Sequence, residues 1–171
     1  MSAPFTVRDA EPPDLPFLGQ MLIEANHLRD ENPHLTLKQA MAEPMVGRYL
    51  AGWGRPGDRG VVAVDPDGRR CGAAWYRLFT ADEPGWATID ALTPELTLAV
   101  SARWRGRGVG TAILAALLDR ARADGRPGVS LSVFLGNAVA VRLYRSAGFE
   151  TLSEGHGWAQ MLWRPDRTSP R

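Results

Sequence analysis

Glycines at alternating positions follow an apolar run in the second half of the chain. The run is Leu98-Ala99-Val100, and the segment beyond it reads Arg105-Gly106-Arg107-Gly108-Val109-Gly110-Thr111. An amphipathic stretch comes next, so the pattern predicts a strand, a turn and a helix. The first N–H groups of a helix have no intrahelical partner, and glycine lets an anion approach the backbone closely. This spacing therefore predicts a site for a phosphate or pyrophosphate.

Two common phosphate-binding patterns do not fit this turn. Dinucleotide-binding folds use G-x-G-x-x-G, but position 111 is a threonine here. Those folds also end a strand on an acidic residue about 20 positions further on, which this chain lacks. Nucleoside triphosphatases use G-x-x-x-x-G-K-[ST], and no lysine follows these glycines. The turn therefore needs another interpretation.

A second segment makes the interpretation more specific. Residues 105–110 fit R-x-x-G-x-G, and residues 137–149 fit N-x-x-A-x-x-L-Y-x-x-x-G-F. Both segments, in this order, resemble signatures of the GNAT superfamily of N-acetyltransferases. The resemblance covers nearly the whole chain and is strongest over residues 95–149. Ala102 departs from the proline that many relatives place there, which we expect to loosen the loop slightly.

The resemblance implies a coenzyme A site with acetyl-CoA as the cosubstrate. Backbone groups of one strand would contact the pantetheine arm, the glycine turn would hold the pyrophosphate, and Asn137 would contact the arm through its side chain. Tyr144 would lie beside the thioester sulfur. The residues expected to bind the cofactor are Leu98, Ala99, Val100, Arg105, Gly106, Arg107, Gly108, Val109, Gly110, Thr111, Asn137 and Tyr144.

An amine acceptor requires a base. At a lysine-like pKa near 10.4, only about one amine in 10³ is neutral at pH 7. Glu95 is the candidate base because it begins the strand that leads to Val100, and it resembles the glutamate that many relatives place there. Asp90 and a water relay are the alternatives. Tyr144 is the candidate acid, although its transfer of a proton to a thiolate is uphill by about 2 kcal/mol in water.

Each of these assignments has a purely structural alternative. The glycine turn could be a tight loop entering a core helix, and Tyr144 a half-buried aromatic whose hydroxyl is satisfied locally. Glu95 could be a solvated residue at a strand end. The chain as a whole could be a non-catalytic acyl-CoA-binding module, which needs neither acid nor base, or the loop could bind a nucleotide.

Local patterns predict the elements of the first half of the chain. A strand is expected over residues 5–9, then a helix that opens at Glu11-Pro12-Pro13-Asp14 and ends near Arg29. Thr36 and Gln39 have the spacing of a capping box for a second helical region, which Pro44 should interrupt. Two β-type runs on either side of Pro66-Asp67-Gly68 predict an antiparallel hairpin.

The second half alternates strands and helices. Residues 80–94 predict a loop on the substrate side, followed by a strand over 95–100 and a helix from Gly108 to near Gly125. Residues 129–134 alternate as a strand, and Asn137 should cap the helix that carries Tyr144. Residues 150–153 and 158–163 complete the sheet.

The order β-α-α-β-β-β-α-β-α-β-β matches a GNAT-like fold of the mixed α/β class (an α+β mixed sheet). The resemblance implies a central mixed sheet of six to seven strands, with helices on both faces and splayed central strands. A chain of 171 residues has the length of one ordinary domain. We expect a single N-acetyltransferase domain over residues 1–164 and a frayed tail over 165–171.

Composition and charge indicate which classes of binding partner and which cellular compartment to expect. A net charge of +1 gives no basic field for nucleic acid, and no apolar run is long enough to span a membrane. The N-terminus lacks the pattern of a signal peptide, and the single cysteine, Cys71, favours a reducing compartment, so we expect a cytoplasmic protein.

The three histidines show no metal-ligand spacing, so no metal site is expected. The acceptor would be a small-molecule amine or a protein N-terminal amine, and the oligomeric state stays open, with a homodimer among the options.

Overall fold

A computed structural model of the chain describes residues 4–165. Its strands are β1 Thr6–Asp9, β2 Arg59–Val64, β3 Arg70–Arg77, β4 Glu95–Val100, β5 Val129–Phe134, β6 Glu150–Gly155 and β7 Trp158–Trp163. Its α-helices are α1 Leu15–Ala25, α2 Leu28–Glu31, α3 Leu37–Ala42, α4 Pro44–Gly47, α5 Val109–Ala123 and α6 Ala138–Ser146, and 3-10 turns span Pro12–Asp14 and Ala102–Trp104.

The strands form one seven-stranded sheet with the order β1-β2-β3-β4-β5-β7-β6. β4 and β5 are parallel, whereas β1 and β2, β5 and β7, and β6 and β7 are antiparallel. This confirms the predicted mixed α/β fold. Among residues 4–165, no helix is both long and apolar enough to cross a membrane.

The contacts divide the chain into two compact units. Unit 1 comprises the chain up to Trp75 together with Thr97–Leu117, and unit 2 comprises Tyr76–Leu96 and the chain from Leu118 onward. The expectation of one domain over residues 1–164 stays a prediction. Of the predicted frayed tail, residues 166–171 lie outside the described part.

Unit 1 contains the first four helices. The predicted capping box is confirmed, because Thr36 Oγ1 accepts from the Gln39 backbone N–H at 3.2 Å and Gln39 Oε1 accepts from the Thr36 N–H at 2.9 Å. The predicted interruption at Pro44 is also confirmed, since α4 begins there. Buried apolar residues of this unit include Leu18, Leu22, Val62, Ala73 and Ile113.

The first helix is shorter than expected. It ends at Ala25, not near Arg29, because His27 adopts a left-handed conformation with φ of 53°. The backbone N–H and the side-chain amide of Asn26 both donate to the Leu22 carbonyl, at 3.2 Å and 2.9 Å. A separate short helix, α2, then begins at Leu28.

Two contacts fix how β3 and β4 align at the unit 1 end of these strands. The Ser101 N–H donates to the Cys71 carbonyl at 2.9 Å, and a Cβ added to Gly72 would lie 3.3 Å from the Cα of Val100. Both contacts fit an antiparallel pairing in which Cys71 lies opposite Ser101 and Gly72 opposite Val100. The predicted hairpin of β2 and β3 is confirmed by their adjacent places in the sheet.

Unit 2 contains β5 to β7 and α6. β5 pairs with β7 from Val129–Trp163 to Phe134–Trp158, and a register shift between Thr151 and Ser153 interrupts the pairing of β6 with β7. Between β4 and β5, Glu95 pairs with Ser130, and the Ser130 N–H donates to the Pro94 carbonyl at 2.9 Å. Splaying of these two strands beyond that pair stays a prediction.

Candidate active site

The glycine turn lies in unit 1, between the 3-10 turn after β4 and the start of α5. Gly106 and Gly108 have φ of 71° and 83°, a region that residues with a Cβ adopt only at a cost. A Cβ built on either glycine would meet nothing within 4 Å. The glycines are therefore required by the backbone conformation and not by crowding, and the space beside them is open.

Backbone donors are concentrated at this turn. Within residues 4–165, none of the N–H groups from Gly106 to Thr111 donates a hydrogen bond of standard geometry. The first bond of the helix runs from the Ala112 N–H to the Gly108 carbonyl, at 3.1 Å. Unpartnered N–H groups at the positive end of a helix of 15 residues can bind an anion. The predicted turn and helix are confirmed, and their anion remains a prediction.

The two arginines of the turn are held by protein groups. Arg105 Nη2 lies 3.3 Å from Glu24 Oε2, and Arg105 Nε donates to the Val100 carbonyl at 3.3 Å. The Arg107 guanidinium lies 5.3 Å from the centroid of the Trp104 ring. Arg105 thus anchors the turn to α1 and β4, a contact over 81 residues that no sequence pattern indicated.

The pairing with β3 decides which backbone groups of β4 are available. In an antiparallel pair, N–H and C=O groups of alternate residues point to the partner strand. Because Ser101 bonds to Cys71, Ala99 also directs its backbone groups toward β3, whereas those of Leu98 and Val100 point away. Of the three predicted pantetheine contacts, Leu98 and Val100 therefore have suitably directed groups.

Tyr144 lies in unit 2, on α6. Its side chain is buried, and its ring packs edge-on against Phe149 with the centroids 5.6 Å apart. Within the described part of the chain, the Tyr144 hydroxyl makes no hydrogen bond. Burial raises the pKa of this phenol, so it is neutral and can donate a hydrogen bond at physiological pH. A local partner for the hydroxyl, as the structural alternative required, is not among residues 4–165.

Asn137 begins the helix that carries Tyr144. Its Oδ1 accepts from the Ala140 N–H at 3.1 Å, which confirms the predicted cap. Because capping uses the side-chain oxygen, the amide NH₂ group is the part of Asn137 that could contact a ligand.

Glu95 is 3% exposed at the start of β4, which rules out the solvated strand end considered above. Its partner across the parallel ladder, Ser130, is 0% exposed. The Ser130 Oγ has no hydrogen-bond partner within residues 4–165. A carboxyl group and an unsatisfied hydroxyl are thus neighbours on adjacent strands of unit 2.

Asp90, the alternative base, is part of a turn. Its Oδ1 accepts from the backbone N–H groups of Leu92 at 2.9 Å and Thr93 at 2.8 Å. The bond from Leu92 and the bonds from Thr93 lower the pKa of Asp90. A carboxylate that already accepts two backbone bonds is a weaker base, and the choice between Glu95, Asp90 and a water relay stays a prediction.

Comparison with protein families and known structures gives a consistent result. Residues 23–149 match the family described as "Acetyltransferase (GNAT) family". A GCN5-related N-acetyltransferase from Kribbella flavida is 27% identical, with a TM-score of 0.66 over 95% of this chain and 98% of that one. A protein from Salmonella typhimurium, solved with its cofactor acetyl-CoA, has the same fold at 19% identity, with a TM-score of 0.66 over 98% of this chain and 97% of that one.

Among curated proteins, a mycothiol acetyltransferase from Nocardiopsis dassonvillei is 32% identical over 111 residues, which are 65% of this chain and 33% of that protein. The chain spans a third or less of the length of the first curated relatives that it matches.

Proposed function

Because this chain belongs to the acetyltransferase (GNAT) family, we propose that it transfers an acetyl group from acetyl-CoA to a primary amine. The amine attacks the thioester directly, without a covalent enzyme intermediate. The observation that carries the proposal is the run of unpartnered N–H groups from Gly106 to Thr111 at the start of α5. The acceptor is a small-molecule amine or a protein N-terminal amine. A cytoplasmic location and a homodimer stay predictions from the sequence.

The residues of the turn fit the diphosphate of coenzyme A. N–H groups from Gly106 to Thr111 would hold the phosphate oxygens, and the open space beside Gly106 and Gly108 leaves room for them. The outward-directed backbone groups of Leu98 and Val100 would bind the amides of the pantetheine arm in the manner of an added strand. The Asn137 amide would donate to the same arm.

Glu95 accepts the proton of the attacking amine in this proposal. The C–N bond forms as the C–S bond breaks, so the amine must lose a proton and the sulfur leaves as a thiolate. Recovering the neutral amine from an ammonium group with a pKa near 10.4 costs about 4–5 kcal/mol at pH 7. A carboxylate that receives the proton, directly or through water, lowers that cost, and positioned bases contribute about 10²–10⁴-fold.

Tyr144 stabilises the departing sulfur. Its hydroxyl has no hydrogen-bond partner among residues 4–165, so it is available to donate to the sulfur. The raised pKa of Tyr144 makes full proton transfer to a thiolate unfavourable. We therefore assign Tyr144 the role of a hydrogen-bond donor whose effect is modest.

A thiol-release assay tests the proposed function. The chain is incubated with acetyl-CoA and a panel of amines, amino acids and peptide N-termini, and coenzyme A binding is measured by calorimetry in parallel. We expect tight binding and amine-dependent release of the thiol. Tight binding with no release for any amine would support the non-catalytic acyl-CoA-binding module. Competition by ATP or NAD at equal concentration would support the nucleotide alternative.

A further inference from the structure

Two charged residues of unit 2 are almost completely buried. Arg77, the last residue of β3, is 1% exposed, and Glu95, the first residue of β4, is 3% exposed. Removing a single ion from water costs several kcal/mol unless an opposite charge and hydrogen bonds compensate it. A guanidinium group cannot lose its charge in a protein, so Arg77 requires an anionic or strongly accepting partner.

The strand register identifies that partner. Cys71 lies opposite Ser101, and Gly72 lies opposite Val100. Continued along both strands, the same register places Arg77 opposite Glu95. Directly opposed residues of an antiparallel pair project from the same face, with Cβ atoms about 4.5–5.5 Å apart. That separation is within reach of a guanidinium group and a carboxylate.

The other strands beside Glu95 offer no competing charge. β5, which pairs with β4 at Ser130, consists of Val129-Ser130-Leu131-Ser132-Val133-Phe134 and contains no ionisable residue. The other charged residue of β3, Arg70, binds Asp14 at 2.6 Å. The loop between β3 and β4 adds three acids, Asp82, Glu83 and Asp90. Arg126, whose Nε is buried without a hydrogen-bond partner among residues 4–165, lies in the loop before β5 and interacts with Tyr76, so Arg77 is the cation that the strands themselves place opposite Glu95.

We propose that Arg77 is a positioning residue whose guanidinium group forms a buried cross-strand ion pair with Glu95. The pair holds the carboxylate ionised and in one orientation, so that it can accept a proton from the acceptor amine. Without Arg77, burial would favour the protonated carboxyl group, which cannot act as a base. The ion pair stands on burial and register, whereas its catalytic consequence rests on the proposed function.

A double-mutant cycle tests the pair independently of activity. Urea and thermal unfolding at pH 7 are measured for the wild type, Arg77→Met, Glu95→Gln and the double variant. Each single variant should lower the Tm by about 10 °C, because one buried charge loses its partner. The Tm of the double variant should fall by clearly less than the sum of the decreases in the two single variants. Additive losses would overturn the proposal whatever the chain catalyses. If Arg77→Met does not fold, the uncharged variant Arg77→Gln replaces it in the cycle.

The pH dependence of kcat/KM then tests the positioning role. In Arg77→Met, the acid limb of the profile should move to higher pH by about 1 unit or more, and Arg77→Lys should restore most of the shift. Arg69→Met, at an arginine with a 67% exposed side chain in the β2–β3 turn, is the matched control and should leave the limb in place. An unmoved limb in Arg77→Met would overturn the role. A wild-type chain that transfers no acetyl group would instead refute the proposed function. The double-mutant cycle would still show whether Arg77 and Glu95 form an ion pair.

Discussion

Burial determines what Glu95 can contribute as a single residue. A carboxyl group that is 3% exposed is shielded from bulk water, so its charge acts on a nearby amine more strongly than it would at the surface. Replacing it with glutamine keeps the shape and removes the proton acceptor. We expect Glu95→Gln to lower kcat/KM by about 10²-fold or more and to abolish the acid limb of its pH profile. An unchanged pH profile would mean that another group or a water molecule accepts the proton of the amine.

Tyr144 can be compared with a second buried tyrosine in the same unit. Tyr144→Phe keeps the ring that packs against Phe149 and removes the hydroxyl, so kcat should fall by about 10-fold with little change in KM. Tyr76 donates instead to Asp124 at 2.6 Å. Tyr76→Phe should therefore lower the free energy of unfolding while leaving kcat unchanged. Steady-state kinetics and urea unfolding of both variants distinguish the two roles. A kcat of Tyr144→Phe equal to that of the wild type would show that the Tyr144 hydroxyl takes no part in the reaction.

At the scale of elements, the turn before α5 has a matched control elsewhere in unit 1. Gly108 and Gly68 have φ of 83° and 80°, and a Cβ on either would meet nothing within 4 Å. A glutamate at either position should therefore cost a similar strain of about 1–2 kcal/mol. Gly108→Glu also places a negative charge beside the N–H groups that are proposed to hold phosphate. Calorimetry should show that Gly108→Glu loses coenzyme A binding and Gly68→Glu keeps it. Equal affinities would contradict the site.

The start of the chain is joined to β3 by one buried carboxylate. Asp14 accepts from Arg8 at 2.7 Å, from Arg70 at 2.6 Å and from the Glu11 N–H at 2.7 Å. Burial alone would raise its pKa, but these bonds outweigh that effect and hold the pKa well below its ordinary value. A depressed folded pKa means that the stabilisation is present above about pH 4 and is lost as the pH falls below it.

Asp14→Asn should accordingly lower the free energy of unfolding by about 2 kcal/mol at pH 7. The difference from the wild type should shrink as the pH is lowered from 5 toward 2, because the unfolded chain takes up a proton at Asp14 near pH 4 while the folded chain keeps this carboxylate ionised to lower pH. Urea unfolding along a pH series measures both effects. A difference that stays constant with pH would show that the charge of Asp14 is not the cause.

Elements whose signals are local could be predicted, and contacts between distant residues could not. The Thr36 capping box, the Asn137 cap and the glycine turn each depend on residues within a few positions, so the sequence indicates them directly. The end of the first helix was predicted wrongly because the turn at His27 carries no glycine or proline signal. The bond of Arg105 to Glu24 and the burial of Glu95 depend on residues that the fold brings together, which no local pattern specifies.

For the whole molecule, a net charge of +1 provides no general attraction for a polyanion, so coenzyme A binding must come from local groups. A ligand that binds only the folded chain stabilises it by about 2.7 kcal/mol at 100 times its Kd. For a chain of 171 residues, that free energy corresponds to a rise in Tm of about 5–10 °C. Coenzyme A should produce this rise in the wild type and in Gly68→Glu but not in Gly108→Glu. A similar rise in Tm in all three would mean that coenzyme A binds away from the turn, because Gly108→Glu would then not affect its binding.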